Sequence, residues 1–394
     1  MKLRKVTSVL LSITLITVLI TGCSSSTKTS ESSSTSESSE ASSTPEASKV
    51  KSDYDWANFK IDASKIPQDK LDTTLYVGCS IRGLSNPYLT TISEGMDLFC
   101  EYLDSIGQKY EKQVLDSGGS NDVEIDNIKQ FAARSNGAAI IYADPNESAV
   151  APSEVEAIAD VGGYVGTAWS KPDDATVTDY DPNWVCHTSP DDEANGAIIA
   201  NALIAAMGGQ GKIFVLEGML GTTSSNNRTI GLDGVLKANT DIEVVARDTA
   251  NWDTSEALTL VETWLNQYPD VKGIWCASDS MATGALQALD KAGLKGKVAV
   301  VGIDANTDIV EAVKSGDVAA TVSSNGYLQC GYTLAICYAA WTGLIDPEEL
   351  PIEYREFNTP ATLITSANVD DYISKYVDNI PEMDFTRIFD CKLQ

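Results

Sequence analysis

Residues 74–88 read TLYVGCSIRGLSNPY, and this stretch decides the fold class. Leu75, Val77 and Cys79 alternate with Tyr76 and Gly78, the period of a buried β-strand. Arg82-Gly83-Leu84-Ser85-Asn86-Pro87 follows as a loop of turn formers. Pro87 suits the first turn of a helix, and Leu89, Ile92, Met96, Phe99 and Leu103 give that helix one apolar stripe. In open α/β sheets, ligands gather outside the carboxyl ends of the strands, where loops lead into helices. Asn86 and Tyr88 stand at such an end.

Working outward, the rhythm repeats. Strands are expected near 109–115, 138–142 and 164–168, with helices near 122–135 and 152–160, then the loop Trp169-Ser170-Lys171-Pro172-Asp173-Asp174. After Pro190 come helix 191–207, strand 212–217, helix 228–238, strand 242–247 and helix 254–267. Strand 273–276, helix 280–292 and strand 298–303 complete the second block. This βαβα order argues for parallel sheets covered by helices. Two such blocks imply two similar lobes within a body of residues 72–394, which is long enough for both.

The amino-terminal end carries an address. Lys2, Arg4 and Lys5 precede an apolar run over residues 9–20, shorter than a membrane span and shaped like a signal peptide. Ile20-Thr21-Gly22-Cys23 resembles the bacterial lipobox. That resemblance implies cleavage of residues 1–22 and lipidation of Cys23, so the mature chain would be extracytoplasmic and anchored to the cell membrane. Acyl chains bury about 0.8 kcal/mol per methylene. Residues 23–52 are almost all Ser, Thr, Glu, Lys and Ala after the cysteine, a composition that cannot offset the entropy of ordering. They are read as a disordered stalk whose use is reach. Residues 53–71 regain aromatics and are expected to rest on the body. No later segment approaches a membrane span.

The whole chain holds 28 basic and 56 acidic residues, a net charge of −28. Loss of the three basic residues in 1–22 takes it to −31. Such a charge favours solubility and repels polyanions, which excludes nucleic acid as a partner. Beyond Cys23, seven cysteines (79, 100, 186, 276, 330, 337, 391) form no CxxC pair, and several lie in apolar runs. Burial as thiols and an extracellular disulfide both remain open. The chain carries no nucleophile elbow, Walker loop or HExxH, and its one histidine, His187, leaves little for acid–base work at neutral pH. No catalytic residue, metal or cofactor is expected.

Several stretches together resemble the ribose/galactose-type solute-binding proteins of bacterial ABC importers. They are SNPY at 85–88, FVLEG at 214–218, GTTSSNNRTIGL at 221–232, ASDSMATGALQAL at 277–289, VVGIDAN at 300–306 and GDVAATVSSN at 316–325. Their order and spacing carry the resemblance, across roughly residues 73–345. It implies a type I periplasmic binding protein fold: two Rossmann-like lobes with parallel sheets, joined by a three-segment hinge near 188–192, 322–326 and 357–361. The lobes would comprise 72–190 with 325–357, and 191–324 with 358–394. The lactose-repressor family shares this fold, but no helix-turn-helix precedes the body here.

The resemblance also assigns ligand-binding residues. Asn86 matches an asparagine that hydrogen-bonds sugar hydroxyls, offering both donor and acceptor, and Tyr88 matches a stacking aromatic. Trp169-Ser170 stands where ribose binders carry Asp-Arg, which speaks against ribose itself and makes Trp169 a stacking candidate. Arg228 precedes the position of a Gly-aromatic pair, with Leu232 replacing the aromatic; its planar fork suits adjacent hydroxyls. Trp252 takes the aromatic position of the second lobe, and Asp304 ends the strand VVGID as an acceptor for two hydroxyls. Ser278 replaces an asparagine. Asp279 reads first as the N-cap of helix 280–292 and joins the ligand set beside Ser278. Asn325, or Ser324 one position earlier, replaces a glutamine. Trp184 and His187 are read as structural. The implied function is a monomeric, lipid-anchored binding protein that delivers a sugar or polyol to an ABC permease. The alternative is a sensory module presenting the bound sugar to a membrane receptor or histidine kinase.

Overall fold

Strands that are apolar on both faces need helices on both sides. The computed structural model, which describes residues 55–379 and 382–393, builds two sheets of that kind. β1 (Leu75–Ile81), β2 (Tyr110–Asp116), β3 (Ala139–Ala143), β4 (Tyr164–Ala168) and β5 (Trp184–Pro190) belong to the first. β6 (Gly211–Glu217), β7 (Ile242–Thr249), β8 (Gly273–Cys276), β9 (Ala299–Val301) and β10 (Ala320–Ser323) belong to the second. β11 (Glu356–Thr359) adds to the first and β12 (Thr362–Thr365) to the second. Among the described residues each sheet has six strands, ordered β11-β5-β4-β3-β1-β2 and β12-β10-β9-β8-β6-β7. Only β12, on β10, is antiparallel.

β1 is the centre of the first lobe: Leu75, Val77, Cys79 and Ile81 are fully buried. It lies between β2 and β3, so the loops leaving β1 and β3 turn to opposite faces and open a crevice at their carboxyl ends. β6, between β7 and β8, repeats this in the second lobe.

The chain passes from the first sheet to the second between β5 and the helix Asp192–Ala206, and again between β11 and β12. It returns between β10 and the helix Gly326–Trp341. That last helix is buried on nearly every side, as a helix without a polar face must be, and it packs on the helix Pro87–Ile106.

Both ends of the described chain rest on the first lobe. Phe59, Ile61 and Ile66 join its core, as do Phe385, Ile388, Phe389 and Cys391. The Ile61 N–H donates to the Thr386 carbonyl at 2.7 Å. This corrects the expectation that 358–394 belongs to the second lobe. Val369 and Ile373 do pack there, but Phe385 fills an aromatic slot beside Phe99 and Tyr332, at ring distances of 5.6 and 5.3 Å.

Helix starts also shift. The helix Thr223–Ala238 begins before residue 228 because the Thr222 hydroxyl caps it, accepting from the Ser225 N–H. The helix Asp279–Lys291 is capped by Ser278, not Asp279. All seven described cysteines are buried and free; Cys79 and Cys330 lie with sulfurs 3.9 Å apart. Trp184 and the lone histidine share one structural partner. The Trp184 Nε1–H donates to Thr167 Oγ1, which also lies 2.9 Å from His187 Nδ1. Burial drives the His187 pKa down to about 3.

Helices Asp192–Ala206 and Thr223–Ala238 are in close contact through glycine. A Cβ on Gly196 would collide with the Arg228 carbonyl, and one on Gly231 with that of Glu193. Gly196→Ala should therefore overpack this seam and lower stability by about 1–3 kcal/mol. Urea unfolding would show the shift in midpoint.

Candidate functional site

The two crevices face each other and enclose a cavity of about 390 Å³, within the ~300–1,000 Å³ usual for small-molecule sites. Asn86, Tyr88 and Trp169 line it from the first lobe; Arg228, Trp252, Ser278 and Asp304 line it from the second.

On the first side, Asn86 caps the helix Pro87–Ile106, its Oδ1 accepting from the Tyr88 N–H at 3.0 Å. The amide nitrogen is thereby left for a ligand. Tyr88 is buried, and its hydroxyl donates to Gln329 Oε1 at 3.0 Å. Its ring meets Trp169 nearly edge-on, at 5.7 Å and 83°. Arg82, leaving β1, directs one nitrogen at both oxygens of Asp144, which follows β3, each at 3.1 Å. Burial pushes the Asp144 carboxyl up, and Arg82 works against that.

On the second side, Arg228 holds the parts together. Its Nε donates to Asp192 Oδ1 at 2.8 Å and its Nη1 to the Ala277 carbonyl at 2.6 Å. Nη1 also lies 3.8 Å from Asp304 Oδ1. The guanidinium carbon sits 5.2 Å from the Trp169 ring centre and 5.6 Å from that of Trp252. Burial opposes the Arg228 charge, but Asp192 and Asp304 outweigh it and raise its pKa. Burial pushes Asp304 up to about 7, while Arg228 and the Asp279 N–H favour its charged form. A carboxylate has about four acceptor sites, so Asp304 retains room for ligand hydroxyls. Trp252 lies flat on Gly218, where a Cβ would strike the indole.

The backbone is strained where the site is. Among the described residues, seven other than glycine have positive φ. Asn136 ends a helix; the others are Trp169 (64°), Asn251 (49°), Trp252 (63°), Asp304 (132°), Ala305 (58°) and Asn325 (51°), all at the cleft or the hinge. Each such residue costs on the order of 1–3 kcal/mol and persists only where its surroundings over-determine it.

The lobes also meet directly at the rim. The Ser148 N–H donates to the Gly221 carbonyl at 3.1 Å. Ser148 Oγ lies 2.8 Å from Thr223 Oγ1, which donates to the Lys171 carbonyl at 3.3 Å. This is a closed arrangement.

Two residues assigned to the ligand set lie outside the cavity lining. Asp279 is fully buried, its carboxylate taken by the Thr321 hydroxyl and the Asn306 N–H. Asn325 caps the helix Gly326–Trp341, accepting from the Leu328 N–H. The glutamine nearest that crossing is Gln329, which meets Tyr88. Four participants escaped the sequence reading: Arg82, Asp144, Asp192 and Gln329. Asp144 follows a strand, as Asp304 does, and Arg82 lies inside the quoted loop, so both had a positional signal.

Residues 77–344 match the family model described as periplasmic binding protein domain. A xylitol-binding protein of Mycolicibacterium smegmatis is 37% identical over 210 residues, 51% of this chain; the match spans 58% of that relative's length. A ribose import binding protein of Haemophilus influenzae is 30% identical over 250 residues, covering 63% of this chain and 79% of that protein. A twin-arginine translocation pathway signal protein from Burkholderia phytofirmans superposes with a TM-score of 0.77 at 32% identity, over 81% of this chain and 97% of its own.

Removing Arg228 would leave Asp192 and Asp304 without their shared cation. The Arg228 and Asp192 side chains are only 4% and 2% exposed, so Arg228→Ala should lower stability by about 3–5 kcal/mol even without ligand. Chemical unfolding of the empty protein measures this.

Proposed function

The chain belongs to the periplasmic binding protein family, and on that premise we propose that it captures a neutral sugar or polyol between its lobes and delivers it to the permease of an ABC importer. The observation that carries this reading is the buried Arg228–Asp304 pair, bracketed by Trp169 and Trp252 and bordering the cavity. Hydroxyls lose water on binding, so each needs a partner. Asp304 supplies acceptors, while Arg228 Nη2 and the Asn86 amide nitrogen supply donors. The two arginines are matched by Asp144 and Asp192, which leaves Asp304, together with Asp116 and Asp253 on the lining, as surplus negative charge. That balance favours neutral ligands over anions, as does the net charge of −28. The names of relatives that bind xylitol and ribose support the same class. A ligand touching both lobes favours the closed state and is released unchanged.

A thermal-shift screen of monosaccharides, polyols, sugar phosphates and amino acids tests this directly. A true ligand at a hundredfold excess over Kd should stabilise by about 2.7 kcal/mol. Stabilisation by phosphates or amino acids alone would overturn the reading.

Asp304 supplies a pH dependence. With its pKa at about 7 in the empty site, it is protonated below that pH, and a protonated carboxyl is a poorer acceptor. Affinity should therefore rise as pH increases through neutrality. Calorimetry should find this acid limb absent in Asp304→Asn, and Asp304→Ala should weaken binding by about 2–5 kcal/mol.

We also propose that Cys23, which lies outside the described residues, is lipidated, and that residues 24–52 let the body reach a permease from the membrane. Cys23→Ser should move the folded protein to the soluble fraction. Continued sedimentation with membranes after a salt wash would exclude the lipid anchor.

A further inference from the structure

Glu124, on the helix Asn121–Ser135, and Glu154, on the helix Ala151–Ala159, meet inside the first lobe with no exposed surface. Their carboxyl groups lie close enough to act on each other's charge. Glu124 Oε2 accepts from the Asn146 backbone N–H at 3.0 Å. With both groups ionised, the other three oxygens would have no donor, and two like charges would be in contact out of water. One proton between them removes the repulsion and turns the contact into an O–H···O bond. The charged groups facing the pair are Asp144, just after β3, and Arg82, in the loop after β1. Burial is the main cause lifting both carboxyls, Glu124 to about 7 and Glu154 well above the usual range.

The pair's bond to Asn146 reaches a segment with two tasks. Residues 144–148 begin at Asp144, which grips Arg82 on the cleft wall. They end at Ser148, which donates across to Gly221 of the other lobe. Between them, the Asn146 side chain is tied to Ser117 at 3.1 Å. We infer that Glu124 and Glu154 share a single proton and, so joined, act as positioning residues for segment 144–148, setting both the Arg82–Asp144 wall and the interlobe contact of Ser148. Loss of that proton to the buffer leaves two unpaired charges, whose repulsion pulls Glu124 from Asn146 and releases the segment. Ligand affinity then falls on the alkaline side, opposite in sense to the limb set by Asp304. This rests on the capture reading above only for its ligand arm.

Glu154→Gln tests it, because the new amide donates to an ionised Glu124 that still accepts from Asn146, and no shared proton is needed. Glu124→Gln offers the same exchange from the other side. Binding of xylitol and of ribose would be followed from about pH 6 to about pH 9, where coupled groups titrate as a pair. Wild type should lose about tenfold in affinity on the alkaline side, and either variant should lose only that limb. An alkaline limb unchanged in both variants overturns the inference, and a purely structural role would leave it unchanged. The second readout needs no ligand: the infrared carbonyl band of a protonated carboxylic acid in the empty protein at neutral pH. Part of that band should vanish in Glu154→Gln; an identical band in variant and wild type also overturns the inference. If neither sugar binds, the capture reading fails while the infrared result still decides the proton.

Discussion

One buried guanidinium organises the functional half of this molecule. Arg228 reaches the start of the first helix after the hinge through Asp192, the end of β8 through the Ala277 carbonyl, and the loop after β9 through Asp304. It also lies against one tryptophan from each lobe. A buried cation of this kind is tolerated only because buried carboxylates match its charge. The surrounding loops are therefore held to one geometry, and the strained backbones of Trp169, Trp252 and Asp304 follow from that constraint. The glycine seam at Gly196 and Gly231 sets how near the helix bearing Arg228 can approach Asp192.

The sheets decide where such a cluster can form. β1 and β6 each sit at the point where strand order reverses, so the crevices open at equivalent places in the two lobes. Asn86 and Arg82 follow β1, Asp144 follows β3, and Ser278 follows β8. Polar side chains collect at these ends because the central strands, such as β1 and β3, are buried along their length.

That logic explains what could be read in advance. The alternation of strands and helices is a local property of side-chain period, and 164–168, 254–267 and 273–276 fall where the pattern puts them. Asn86, Arg228, Trp252 and Asp304 were legible because family motifs mark strand and helix ends. Asp144 obeys the same rule, yet none of the quoted motifs covers it. At Ser278-Asp279, two good cap formers stand side by side, and local chemistry cannot choose between them. Thr321 and Asn306, distant in sequence, claim the Asp279 carboxylate and leave the cap to Ser278. The return of residues 382–393 to the first lobe is equally non-local, because the slot beside Phe99 and Tyr332 exists only once the chain has folded.

The docking of both ends of the described chain on one lobe has a mechanical consequence. With Phe59 and Phe389 in the same core and Ile61 bonded to Thr386, a load applied at either end is borne inside the first lobe and bypasses the crossings. The second lobe is then the freely swinging arm. A surface linkage or fused reporter at either end should leave its travel unhindered, whereas the same attachment on the helix Thr223–Ala238 would burden the moving part.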